Sequence, residues 1–326
     1  MALCITLLGA AGLVDRFVLL SHGSRRPEAW AQLDALAREL QRAAEVDVVP
    51  SAVFFGADGS AGGTGGCVDG APPPPPASLD VALRRMLEAD AARPIGVLPF
   101  VLGPSRALRV EAPRIIRGVL DVHPAARVEL LPCLSHALGG DGIRRASRGL
   151  ADQVQRLIAT TQLVRPRVYV CDHGSADAAV AAVRRALAAR VAHELGGAVC
   201  AVEPAPMERP AALVRGGVAD DPLLEERLAA LDDVDTAVVV AMAFVSPGRH
   251  AGAEGDVASI VRLATAARPQ LVVHVTGLLG DAPAARAILA DSILQLRRAR
   301  VAPCPGMPHG RPRRRSRPRF ASRAAS

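Results

Sequence analysis

Short apolar runs alternate with helical periodicity along most of the chain. Val18 to Ser21 reads as a buried strand. Pro27 to Ala44 follows with Trp30, Leu33, Leu36 and Leu40 at helical spacing. Val46 to Phe55 is a second strand, Leu79 to Ala89 a helix and Ile95 to Leu102 a third strand. Glu111 to Leu120 is a helix, Arg127 to Leu131 a strand and Gly142 to Ile158 a helix. The order then repeats. Strands are expected over Arg167 to Cys171, Ala198 to Val202, Thr236 to Phe244 and Leu271 to Thr276. The helices between and after them are Ala176 to Glu194, Asp221 to Leu231, Asp256 to Ala266 and Pro283 to Arg298. Strands that are apolar throughout, alternating with helices, predict an α/β fold: two similar domains, each a parallel sheet flanked by helices, with a cleft between them. Ligands of such sheets sit beyond the carboxyl ends of the strands.

The repetition extends to the loops. Ser21-His22-Gly23-Ser24 recurs as Asp172-His173-Gly174-Ser175, and 151 positions separate the two histidines. A second apolar run in each half carries a phenylalanine, Phe100 or Phe244, and ends in a Pro/Gly/Arg turn. These turns are Gly103-Pro104-Ser105-Arg106 and Ser246-Pro247-Gly248-Arg249-His250. A repeat this long means two domains, because solenoid units run about 20–50 residues. The expected layout is an N-terminal extension over 1–15, domains over 16–150 and 151–300, and a basic tail over 301–326. Glycines and five consecutive prolines mark 56–77 as a disordered insertion in the first domain.

Half of the 326 residues are hydrophobic but only 2% are aromatic, so the core must be Ala, Val and Leu. Lysine and asparagine are absent. The net charge of +7 equals the seven arginines between His309 and Ser326, which leaves the remainder neutral. That location argues against a nucleic-acid-binding face on the folded part. The six cysteines show no CxxC or zinc-finger spacing and read as buried thiols of a reducing compartment. No apolar run is long enough to span a membrane, and no basic residue precedes Arg16 as a secretory signal requires. A cytoplasmic location is expected, with a plastid address left open.

An imidazole kept twice at equivalent strand ends marks His22 and His173 as functional. His250 adds a third, but its first-half equivalent is Ala107. Two neutral histidines suit a divalent ion such as Fe, Co, Ni or Zn. A third oxygen donor or proton acceptor could be Glu203, Glu208 or Glu254, while Asp256 reads better as a helix cap. His123, His136, His193, His274 and His309 receive no role. With no lysine there is no Walker-type phosphate loop; GxGxxG and GxSxG are absent as well.

Taken in order, these motifs resemble the sirohydrochlorin chelatases, the class II tetrapyrrole metal chelatases, in their long two-domain form. The residues that carry the resemblance are His22-Gly23-Ser24-Arg25, Phe100 to Ala107, Met207-Glu208-Arg209, Asp221-Pro222-Leu223-Leu224 and Ser246 to Asp256. The likeness covers roughly residues 16 to 295. It implies ATP-independent insertion of Co²⁺ or Fe²⁺ into sirohydrochlorin on the route to cobalamin or sirohaem. The metal is then a substrate, and no organic cofactor is implied. Metal binding and proton acceptance fall to His173 and His250, with His22 at the first-half motif position. Arg25, Arg106, Arg249 and Glu208 would bind the substrate. The partners implied are the tetrapyrrole and the metal ion, with no membrane, and a monomer or homodimer. A ferrochelatase-like enzyme acting on another porphyrin, or a tetrapyrrole or metal carrier, are the alternatives. The Gly/Pro insertion, Ala107, the missing arginine after Asp172-His173 and the basic tail depart from the family pattern.

Overall fold

The computed structural model describes residues 14–56, 73–209, 221–231, 237–252 and 254–301. The N-terminal extension up to residue 13, the glycine stretch over 57–72 and the tail beyond 301 lie outside the described residues. The first half runs β1 (Arg16–Ser21), α1 (Pro27–Ala44), β2 (Asp47–Ala52), β3 (Ala77–Ser78), α2 (Leu79–Ala89), β4 (Ile95–Pro99), α3 (Ala112–Val122), β5 (Val128–Leu130) and α4 (Asp141–Thr161). The second half runs β6 (Arg167–Cys171), α5 (Ala178–Leu195), β7 (Ala201–Pro204), α6 (Leu224–Ala229), β8 (Val238–Met242), α7 (Asp256–Ala267), β9 (Val273–Val275) and α8 (Pro283–Val301).

The strands form two all-parallel sheets, ordered β3-β2-β1-β4-β5 and β7-β6-β8-β9. Without the short edge strand β3, the two orders correspond one to one. Two residues cannot show a period, so β3 has no signature in the sequence; Ala77, expected in the insertion, pairs with Ser51. Expected strands shortened to the length that the sheet pairs, as in β4, which stops at Pro99 rather than Leu102.

Alternation along the central strands sorts the core into layers. Val18, Leu20 and Val97 face Leu83 and Ile116 of α2 and α3. Phe17, Leu19 and Leu98 face inward. In the second sheet Tyr169, Val238 and Val240 face Leu224 and Leu228 of α6, while Val168, Val170 and Val239 face inward. The two inward faces share one continuous apolar core through α1, α4, α5 and α8.

Helices are exchanged within that middle layer. α4 follows the first sheet but packs on α5 and β8 of the second, and it runs unbroken past position 150. α8 closes the second half but packs on α1 and β4 of the first. Gly96 makes room for this crossing: a Cβ there would lie 2.5 Å from the Phe17 ring and 3.3 Å from Leu296. Arg297 of α8 donates to the Ala44 carbonyl at the end of α1, at 2.7 Å. With the layers locked in this way, the strand ends of both sheets hold a fixed relation. Gln32 reaches Asp281 at 2.6 Å, and Arg109 pairs with Asp177 across the halves.

Among the described residues, no helix is long and apolar enough to cross a membrane.

Candidate functional site

Each repeated histidine leaves its strand on a backbone that only glycine tolerates. Gly23 has φ +104 and Gly174 has φ +90. The turn brings each histidine beside the loop of the next strand. Phe54 donates its N–H to the His22 carbonyl at 3.0 Å; Glu208 donates to the His173 carbonyl at 3.2 Å. A Cβ on Gly23 would sit 1.8 Å from the Phe54 carbonyl oxygen, and one on Gly174 would sit 2.0 Å from that of Glu208. The two halves thus correspond bond for bond at this point. The same register sets Phe100, whose N–H meets the Leu20 carbonyl, against Ala243, whose N–H meets that of Cys171. Phe100 therefore corresponds to Ala243, one residue short of the Phe244 expected from the motif.

Gly174→Ala should lower stability by at least about 1–2 kcal/mol, because left-handed backbone alone costs an L-residue that much before the clash is counted. Gly118, inside α3 on ordinary helical backbone and with no atom within 4 Å of where an added Cβ would stand, is the control. Thermal melts of the two alanine variants test this; equal melting temperatures would contradict it.

His173 and His250 meet. Their Nε2 atoms are 3.1 Å apart, and the rings stand edge to face with centroids at 4.4 Å. Both outer nitrogens are committed as donors. His173 Nδ1 lies 3.1 Å from the Gly174 carbonyl, and His250 Nδ1 lies 2.6 Å from Asp256 Oδ2. Those oxygens can only accept, so a neutral ring must carry its proton on Nδ1 and leave Nε2 bare. Two bare lone pairs then confront each other at 3.1 Å. A shared proton, a His173 Nε2 proton turned toward Glu208, or a cation held off the line between the nitrogens relieves that repulsion.

Glu208 Oε1 is 3.2 Å from His173 Nε2 and supplies the nearby negative charge. The other two glutamates are engaged elsewhere. Glu203 is held by Arg167 at 3.0 Å and Arg227 at 2.6 Å, and Glu254 by Arg262 at 3.3 Å. Asp256 is not the cap; Gly255 is, and Asp256 occupies the first turn of α7. Its carboxylate fixes the His250 tautomer, the orienting role that partners of metal-binding imidazoles commonly play. The clue was available in the sequence as an acid six residues after a histidine across a Gly-rich turn. Among the described residues, no group of three or more His, Cys, Asp and Glu side chains closes around a common point. The donors that do meet are two nitrogens with one carboxylate oxygen alongside.

His22 faces this pair from the other half. Its ring packs edge-on to Phe54, centroids 5.0 Å apart. Burial, and after it the proximity of His173, holds the His22 imidazole below the usual histidine range, against a raising contact with the Gly23 backbone. It stays neutral, with a basic lone pair, at ordinary pH. Gly248 lies across from the Ser24 hydroxyl, so the loops of the two halves close on one another.

The arginines lie around the rim. Arg249 and Arg106 are 79% and 82% exposed, loosely paired with Asp256 at 3.8 Å and Glu111 at 3.7 Å. Arg25 lies over the Phe55 ring, 4.7 Å from its centroid.

Behind His173 is a buried ion cluster that the sequence pattern does not announce. Arg184 of α5 is fully enclosed and bonds Asp172 Oδ1 at 3.0 Å and Asp221 Oδ2 at 2.8 Å. Asp172 also accepts the Gly174 N–H at 3.1 Å, which anchors the turn that carries His173.

No family model and no curated protein matches the chain. Solved structures do. SirB of Bacillus subtilis subspecies spizizenii, a sirohydrochlorin chelatase crystallised with cobalt, is 14% identical, with a TM-score of 0.60 over 88% of this chain and 96% of its own. SirB from Bacillus subtilis with Fe³⁺ is 15% identical at TM-score 0.61, covering 87% and 96%. CbiX, described as the terminal enzyme of sirohaem biosynthesis in denitrifying bacteria, is 18% identical at TM-score 0.53, covering 86% and 98%. The chain has the fold of these sirohydrochlorin chelatase structures, two parallel sheets flanked by helices.

Proposed function

We propose that this protein is a chelatase that inserts Co²⁺ or Fe²⁺ into sirohydrochlorin without ATP. The observation that carries the proposal is the pair of opposed Nε2 lone pairs of His173 and His250 at 3.1 Å. Nitrogen donors at about 2.0–2.1 Å from one ion stand about 2.8–3.4 Å apart across octahedral to tetrahedral angles. The site is therefore set for one ion or one proton. Metal insertion requires that alternation: the macrocycle gives up two pyrrole protons and takes one divalent cation.

The residues divide the work accordingly. His173 and His250 hold the ion by two bonds only, with Glu208 beside them, so the remaining coordination positions can pass to the four macrocycle nitrogens. As the ion leaves, the same two lone pairs become free for a proton. Neutral His22 on the opposite loop offers a second acceptor. Asp256 keeps the His250 proton on Nδ1, so His250 Nε2 presents its lone pair first to the ion and then to a proton. The substrate's peripheral carboxylates match the exposed guanidiniums of Arg249 and Arg106, which can bind them bidentately.

The direct test mixes purified protein, sirohydrochlorin and Co²⁺ or Fe²⁺ without ATP and follows the tetrapyrrole absorbance against a no-enzyme control. Failure to exceed the uncatalysed rate with either ion would remove the proposal. Arg249→Ala is expected to raise KM for sirohydrochlorin about tenfold with little change in kcat, the signature of lost uniform binding. Unaltered KM would take Arg249 out of the anchoring role.

A further inference from the structure

The two halves differ most sharply at one matched position. Where the second half places Glu208 beside His173, the first half places Phe54 beside His22, held by the same backbone bond. Phe55 follows, and neither ring is buried: Phe54 is 37% exposed and Phe55 54%. Elsewhere Phe17 and Phe100 are almost fully enclosed, as expected of the scarce aromatics in this core. Phe55 also has φ +56, a conformation that a bulky residue rarely adopts. Folding gains little from two exposed rings, one of them on a strained backbone. Strain of this kind persists mainly where function requires it. The guanidinium of Arg25 lies 4.7 Å from the Phe55 centroid and adds a cation to the same surface. Phe54 meets the His22 ring at 5.0 Å, and Gly248 of the turn that carries His250 lies against Ser24 of the turn that carries His22. The ledge therefore borders the imidazole pair.

We propose that Phe54, Phe55 and Arg25 form the platform on which the tetrapyrrole plane stacks. The two rings supply flat apolar area, and Arg25 supplies a counter-charge for a peripheral carboxylate. In this arrangement the second half presents the ion and the first half presents the macrocycle. The replacement of a carboxylate by Phe54 and of an imidazole by Ala107 is then a division of labour between the halves. This inference rests on the chelatase reading above.

The test separates the two binding events. Metal-free sirohydrochlorin is titrated into the full chain and followed by its own fluorescence, and Co²⁺ is titrated separately by calorimetry. Phe54→Ala and Phe55→Ala are each expected to weaken sirohydrochlorin binding about tenfold, the usual effect of removing one stacking ring. The Phe54→Tyr/Phe55→Tyr double variant should retain wild-type affinity, and Co²⁺ affinity should be unchanged in all. If both alanine variants bind sirohydrochlorin as the wild type does, the platform is excluded while the chelatase reading stands. If the wild type binds Co²⁺ but no sirohydrochlorin, both are excluded. Loss of Co²⁺ binding together with sirohydrochlorin binding in the alanine variants would mean the rings support the fold of the site, which also overturns the platform.

Discussion

His173→Ala and His250→Ala should each reduce the rate of Co²⁺ insertion into sirohydrochlorin by about a thousandfold or more, comparable to removing one member of a catalytic constellation that acts as a unit. The reason lies in the 3.1 Å gap between their Nε2 atoms. With one ring removed, the partner is no longer forced to share anything and becomes an ordinary exposed imidazole. Affinity for Co²⁺ should fall with the rate, because two nitrogens no longer converge on one point. The double variant should be scarcely worse than either single one, since the second removal takes away a ligand that had already lost its function. Asp256→Asn is a milder version. It leaves the ring in place but weakens the hold on its tautomer, and outer partners of this kind commonly change metal affinity about 10–100-fold. Calorimetry with Co²⁺ alone and single-turnover absorbance with sirohydrochlorin measure the two effects separately. Retention of both metal affinity and turnover in either alanine variant would show that the imidazole pair is a surface accident. Loss of turnover with full metal affinity would move the histidine from metal presentation to proton acceptance.

The site was legible in the sequence as far as its glycines and histidines were. His22 and His173 announced themselves because a strand, an imidazole and a glycine recur in the same order, and each glycine has the positive φ that the turn demands. His250 was legible through its turn. Other features depend on the third dimension and have no local signature. Glu203, Glu208 and Glu254 look alike in a sequence, and only the pairing of Glu203 and Glu254 with arginines separates them from Glu208. Asp256 resembled a cap because a helix begins there, but its carboxylate points back at His250. Phe54 and Phe55 resembled the apolar end of a strand that in fact stops at Ala52. The exchange of α4 and α8 between the sheets was invisible, because an apolar stripe states that a helix face is buried and not against which sheet. Parallel strands, by contrast, are apolar on both faces whichever helices cover them, so the α/β class needed no such knowledge.

Arg184 shows the same limit at its largest energetic scale. In an Ala/Arg helix nothing distinguishes it from Arg185 or Arg190, yet its side chain is wholly enclosed between Asp172 and Asp221. Burial pushes the Asp172 carboxyl upward, and the adjacent guanidinium is the chief opposing influence. Arg184→Met removes that influence and leaves the buried Asp172 carboxylate without its balancing cation, while Asp221 keeps its bond to Arg185 at 2.8 Å. Breaking a buried pair by deleting one partner costs about 3–5 kcal/mol. At about 2 °C per kcal/mol for a chain of this size, the melting temperature should fall by about 6–10 °C. The damage should reach the site as well, because Asp172 holds the Gly174 N–H and so the turn that presents His173. Weaker Co²⁺ binding at temperatures where the variant is still folded is therefore expected. The triple variant Arg184→Met/Asp172→Asn/Asp221→Asn separates charge from shape. It removes the carboxylate charges that faced Arg184, while an asparagine at 172 can still accept the Gly174 N–H. It should regain most of the lost stability and much of the Co²⁺ affinity. A triple variant no more stable than Arg184→Met would show that the packing of the arginine stem, and not its charge, supports the turn beneath His173.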